Sequence, residues 1–158
     1  LKDPEAGFRA IVANVRSGGR LHCWVYAKEG NGLVILLVEP IRKIASRLPW
    51  YINKYLVAAP LALFFFFYAK ILAKANPHKV FSRFPMYCYC RWIAKRRFSF
   101  FHHVVFDQLV TPQTEYLERS TIENWLKDSR IDPSSTYILM RNGNSWKFGG
   151  RVYESIAG

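Results

Sequence analysis

The chain has 158 residues, 51% of them apolar and 16% aromatic, enough to bury the core of one domain and to exclude a disordered polypeptide. Its formal net charge of +12 points to an anionic partner. That charge is uneven: twelve Lys and Arg and no acid lie between Glu39 and Asp107, while the eleven basic and eleven acidic residues outside that interval balance.

In chain order, Asp3 is placed to cap a helix whose first turn holds Pro4, and Phe8, Ile11, Val12 and Val15 recur at the spacing of one helical face. Gly18-Gly19 ends that helix, and Arg20 to Ala27, rich in strand-forming side chains, reads as a buried or half-buried strand. Gly30-Asn31-Gly32 closes the strand, and Leu33 to Val38 leads into helices that Pro49 ends.

Trp50 to Lys74 contains fifteen uncharged residues, 55–69, between Lys54 and Lys70, interrupted by Pro60. Three environments suit them: burial against the domain, a membrane interface with the lysines at headgroup level, or a bilayer span, for which about 20 residues are needed. Asn76-Pro77 begins a break. A second basic-aromatic segment follows from Val80 to Phe101, in which Arg91, Lys95, Arg96 and Arg97 make one cationic face if helical. Anionic lipid headgroups suit this composition better than RNA, because nucleic-acid grooves do not call for fifteen uncharged residues in a row.

Phe106 to Tyr116 reads as a loop, and Ser120-Thr121-Ile122-Glu123 has the form of a capping box, with Ile122, Trp125 and Leu126 on the buried face of the helix it opens. Asp132-Pro133 marks a turn. Tyr137 to Met140 and Trp146 to Phe148 flank Asn142-Gly143, a two-residue hairpin signal, and Gly149-Gly150 begins a loose tail. Cys23, Cys88 and Cys90 are odd in number, and none has partners at zinc-ligand spacing, so a reducing, cytoplasmic setting and no metal are expected. No secretory signal is visible.

Two segments carry a family resemblance. DPEAGFRAIVANVRSGGRLHCWVYAKEGN, from Asp3, resembles the part of a class I S-adenosylmethionine-dependent methyltransferase that runs from just after the fourth sheet strand, through a helix, to the fifth strand; Leu1, Asp3, Pro4, Gly18, Gly19, Val25 and Tyr26 carry the match. FDQLVTPQTEYLERSTIENWLKDSRI, from Phe106, is similar to the substrate-side loop and last helix of the same enzymes. The resemblance implies an α/β, Rossmann-like sheet, seen here as its C-terminal portion: one parallel strand plus a terminal antiparallel hairpin, with a helical, basic-hydrophobic insert. Residues 1–32 would be helix and strand of the core, 33–105 the insert, 106–150 the loop, last helix and hairpin, and 151–158 a tail.

The cofactor it implies is S-adenosylmethionine, whose glycine-rich turn would lie upstream of Leu1, so the fragment alone is expected to be inactive. Tyr26 and Glu29, at the strand exit, and Phe106 and Asp107, in the loop, are its candidate substrate-binding residues. His102 and His103, just before that loop, are candidate catalytic bases. The expected function is methyl transfer to a small or lipid-linked acceptor by a cytoplasmic protein peripheral at an anionic membrane, without a nucleic-acid partner. The alternative is a noncatalytic membrane-surface or scaffold module derived from a methyltransferase half. A strand cut from its neighbours would leave an open edge through which a homodimer could pair.

Overall fold

The computed structural model describes residues 3–75, 79–127 and 130–153. The Asn76-Pro77 break and the last residues of the expected tail, 154–158, lie outside the described residues. The chain divides into two compact units, a sheet unit of Leu1–Glu29 with Gln113–Gly158 and a helical unit of Gly30–Pro112.

In the sheet unit, α1 (Pro4–Asn14) starts where the Asp3 carboxylate accepts the Ala6 N–H at 3.0 Å. Phe8 and Val12 are buried, whereas Ile11 of the expected apolar face is exposed. Gly18, at φ 70°, turns the chain into β1 (Arg20–Ala27). After the helical unit come β2 (Tyr116–Leu117), α7 (Arg119–Lys127), β3 (Tyr137–Arg141) and β4 (Ser145–Arg151).

The sheet order is β2-β1-β4-β3. The protein is thus mixed α/β with one parallel pair and a terminal antiparallel hairpin. The expectation of β1 as an inner rung of a parallel platform needs correction: its long partner is β4, antiparallel from Arg20↔Arg151 to Tyr26↔Ser145, and its parallel contact with β2 covers only Tyr26 and Ala27.

The hairpin loop has three residues, not two. Asn142 and Gly143 both take positive φ, as the sequence suggests, but the buried Asn144 is the third, and its carbonyl accepts the Ala27 N–H at 3.0 Å. Gly149 and Gly150 are not a tail. They pair with His22 and Leu21 inside the sheet, where a Cβ on Gly149 would run into the Leu21 carbonyl.

One face of this sheet is covered. Leu21, Ala27, Trp146 and Phe148 pack under α1 and α7, with the rings of Phe8 and Trp125 stacked at 5.5 Å. On the other face, Arg20, His22, Trp24 and Tyr26 of β1 share strand registers with Arg151, Lys147, Leu139 and Arg141 and face solvent; Trp24 is 70% exposed.

The helical unit contains α2 (Gly32–Ala45), a continuous helix Trp50–Lys74, a 3-10 turn (Lys79–Arg83), α5 (Tyr87–Ile93) and α6 (Phe98–Val110). Pro60 does not break the long helix. It is built as α3 (Trp50–Ile52), a π-helical segment (Asn53–Ala58) and α4 (Ala59–Lys74), and the wider π turn before Pro60 relieves the clash a proline ring makes with the preceding turn. α6 runs antiparallel along this helix: Phe66 meets Phe98 and Phe101, and further back Lys54 meets His102 and Phe106.

Of the three environments open to residues 55–69, burial against the domain is the one the structure disfavours, since only 22% of the most apolar window of Trp50–Lys74 is buried. By length and composition alone this helix could cross a membrane. The Arg91, Lys95, Arg96 and Arg97 face is not one helical face either: Arg91 is on α5, and the other three lie between α5 and α6.

Candidate functional site

The six candidate residues fall in two units, Tyr26 and Glu29 in the sheet unit and His102, His103, Phe106 and Asp107 in the helical unit.

At the carboxyl end of β1, Tyr26 is partly exposed and lies beside Tyr116, ring centroids 5.9 Å apart. Glu29 is not a freely solvated charge. Its Oε1 accepts the Arg119 N–H at 3.0 Å, the first N–H of α7, and its Oε2 accepts the Trp146 indole N–H at 3.1 Å. Burial pushes the Glu29 carboxyl up, but these hydrogen bonds and nearby Lys28 outweigh it and hold it below the usual carboxylate range.

Beside it Lys28 pairs with Glu118 at 2.7 Å; the hydrogen bond and opposite charge raise the lysine and lower the carboxyl. Glu29 therefore does at the start of α7 what Ser120 was expected to do. α7 begins at Arg119, Ser120 is already within its first turn, and Glu123 of the expected capping box bonds Arg119 Nε instead. No local pattern could reveal that a carboxylate ninety residues away fills the role.

In the helical unit, Phe106 and Asp107 are on α6, not in a loop. The apolar run from Phe98 is long enough to carry the helix to Val110, where the Asp107 carbonyl accepts both the N–H and the hydroxyl of Thr111. The Phe106 ring lies 6.0 Å from the Lys54 ammonium. His102 Nε2 donates to the Lys54 carbonyl at 2.8 Å, and its ring stacks on Phe98 and lies near Tyr55. Because a carbonyl only accepts, that bond places the ring hydrogen on Nε2 and leaves the basic lone pair on Nδ1. His103, the next residue on the helix, is exposed and points about 100° away from it.

Two internal polar features had no sequence signal. Arg42 is 1% exposed on α2; its guanidinium pairs with Glu39 and donates to the Gln108 carbonyl at 2.6 Å and to Gln108 Oε1 at 2.8 Å, tying α2 to α6. Asn53, buried in the π segment, donates to the Ala45 carbonyl at 3.0 Å while its Oδ1 has no partner. Burial pushes the Cys90 thiol up to about 12, which leaves it inert as a nucleophile near neutrality. Among the described residues no three His, Cys, Asp or Glu converge as metal ligands.

Chemically, the carboxyl end of β1 offers a carboxylate fixed by the Arg119 N–H and the Trp146 indole, and α6 offers an imidazole of set orientation. Comparison with family models, with curated proteins and with solved structures finds no match to this chain.

Proposed function

We propose that these residues are the C-terminal part of a class I S-adenosylmethionine-dependent methyltransferase acting on a small or lipid-linked acceptor. The observation that carries this reading is the sheet unit itself. A helix, a glycine turn and β1 are followed, after the helical unit, by a last helix and an antiparallel hairpin whose final strand returns beside β1. That order is what the resemblance implies.

Two features of β1 support a larger sheet. Along the edge facing β2, no strand pairs with Arg20 to Val25 among the described residues, and within the sheet unit the face that carries the exposed Trp24 is not the one that α1 and α7 cover. Sheets of doubly wound proteins carry helices on both faces and bind ligands at the carboxyl ends of their strands, where Tyr26 and Glu29 stand.

The described residues do not by themselves fit the cofactor. The sequence holds no G-x-G-x-G, the one G-x-G after β1, Gly30-Asn31-Gly32, lacks the third glycine, and Glu29 already holds the start of α7 and the Trp146 indole. Cofactor binding is thus assigned to sequence outside these residues. Within them, His102, whose Nε2 is held by the Lys54 carbonyl, is the group proposed to take a proton from an acceptor through Nδ1, with Phe106 and Asp107 about one helical turn further on.

The test is calorimetric titration of S-adenosylmethionine into the full-length protein that contains this segment, followed by transfer of labelled methyl to a membrane-lipid extract and to water-soluble metabolites. Binding at about micromolar affinity with transfer to either pool is expected. A full-length protein that binds no cofactor would sink this reading and leave the scaffold alternative.

A further inference from the structure

The long helix of the helical unit exposes a stripe that methyl transfer does not explain. Leu56, Pro60, Leu63, Phe64, Phe67 and Ile71 follow one another at helical spacing and face solvent, Leu56 at 71%, Phe64 at 73% and Ile71 at 63%. Ala62, Ala69 and Leu72 of the same helix are buried, the last two in a cluster with Cys90 and Ile93 of α5 and Phe101 of α6. A contiguous apolar face of this kind marks an interaction surface.

We infer that this stripe is a membrane-docking surface that sinks into the acyl boundary of an anionic bilayer without crossing it. Charge identifies the occupant. The unit holds twelve Lys and Arg against Glu39 and Asp107, and Arg42, the buried cation among those whose side chains are described, is paired with Glu39. Lys43, Arg47, Lys74, Arg83, Arg91, Lys95, Arg96 and Arg97 are exposed, and Lys54 and Lys70 stand at the two ends of the stripe. A second copy would bring the same cations against these, whereas anionic headgroups around an apolar seat satisfy both features at once.

Depth follows from length. The uncharged run of 55–69 is about 22 Å long as a helix, and α6, packed alongside, is only about 20 Å long with Arg97 at its start and Asp107 near its end. Neither reaches across a hydrocarbon core of about 30 Å, and spanning would draw the flanking charges into it. Trp50, Tyr51 and Tyr55, all exposed at the Lys54 end, are side chains of the interfacial type.

This inference goes beyond the methyl-transfer reading and is tested without cofactor, so either can fail alone. The full-length protein is sedimented with phosphatidylcholine vesicles containing or lacking 30% phosphatidylglycerol, at low and at 0.5 M salt. Binding to the anionic vesicles, weakened at least tenfold by salt and at least tenfold by F64E/F67E, is expected. Both substituted positions are exposed, and unchanged circular dichroism checks that the fold is kept; K70Q/K74Q, which spares the stripe, should weaken only the anionic preference.

Any of four results would overturn the inference: no sedimentation with anionic vesicles, sedimentation unaffected by F64E/F67E, resistance to alkaline carbonate extraction, which would indicate a span, or lipid-independent self-association abolished by F64E/F67E. Salt-sensitive binding of an oligouridine that F64E/F67E leaves intact, without vesicle binding, would assign the cations to RNA instead.

Discussion

Arg42 shows how far a charge counted along a sequence can stand from a charge on a surface. It was one of twelve cations in an acid-free interval, yet it is buried and held by Glu39 and Gln108. Its value is largely the cost of leaving those partners without it: truncating one member of a buried pair costs about 3–5 kcal/mol, while replacing a whole pair with apolar groups is often neutral. Arg42→Ala should therefore destabilise the protein by about 3 kcal/mol or more, and R42M/E39L, which removes the charge together with its counterion, should cost less. Urea unfolding followed by circular dichroism measures both, and equal losses would mean that leaving Glu39 without its counterion adds no cost. Gly149 carries a related lesson: its lack of a side chain suggests looseness along the sequence, whereas the close approach of the Leu21 carbonyl in the β1–β4 pairing requires it.

At the scale of elements, those fixed by contiguous residues were legible. α1 with its Asp3 cap, the glycine turn, β1, and the hairpin signalled by Asn142-Gly143 are all local. What escaped depends on partners far apart in sequence: the register that makes β1 antiparallel to β4, the extension of α6 through Phe106 and Asp107, and Glu29 at the start of α7.

The Glu29 joint has a pH signature. Its carboxyl titrates lower in the folded protein than in the unfolded chain, so between those two values the unfolded state binds the extra proton. The stabilisation is full above the unfolded value of about 4.3 and is lost as pH falls through the folded one. Thermal midpoints should drop as pH goes from about 5 to 3, and Glu29→Gln should lower the midpoint at pH 7 while flattening that slope. A slope as steep in Glu29→Gln as in the parent would assign the pH dependence to other carboxylates, Glu118 first among them.

For the molecule as a whole, the chain divides into two compact units, and the acid-free interval between Glu39 and Asp107 lies inside the helical one, Gly30–Pro112. The candidate site is less legible, because likeness to contiguous segments carries no information on which unit each residue joins, and the chain distributes the six over both. The sheet unit nonetheless closes on itself. The Lys28 N–H donates to the Leu117 carbonyl at 2.9 Å, Glu29 meets Arg119, and β1 takes its longest partner from the far end of the chain. The points where the chain leaves and re-enters this unit are therefore held near each other by the sheet itself.

A unit with its own core, left and re-entered at one place, is the arrangement in which insertion and excision are tolerated. Replacing residues 30–112 with a flexible Gly/Ser linker of about ten residues, whose mean reach is about 17 Å, should leave a sheet unit that unfolds cooperatively. Its near-ultraviolet circular dichroism should retain the signal of the packed Trp125 and Trp146, since Phe8, Phe148 and Ile122 around them remain. Such a protein should also lose sedimentation with anionic vesicles, having shed the acid-free interval and the exposed stripe together. A noncooperative melt without that tryptophan signal would mean that the sheet unit needs the helical one to fold, and the division would then be one of shape and not of stability.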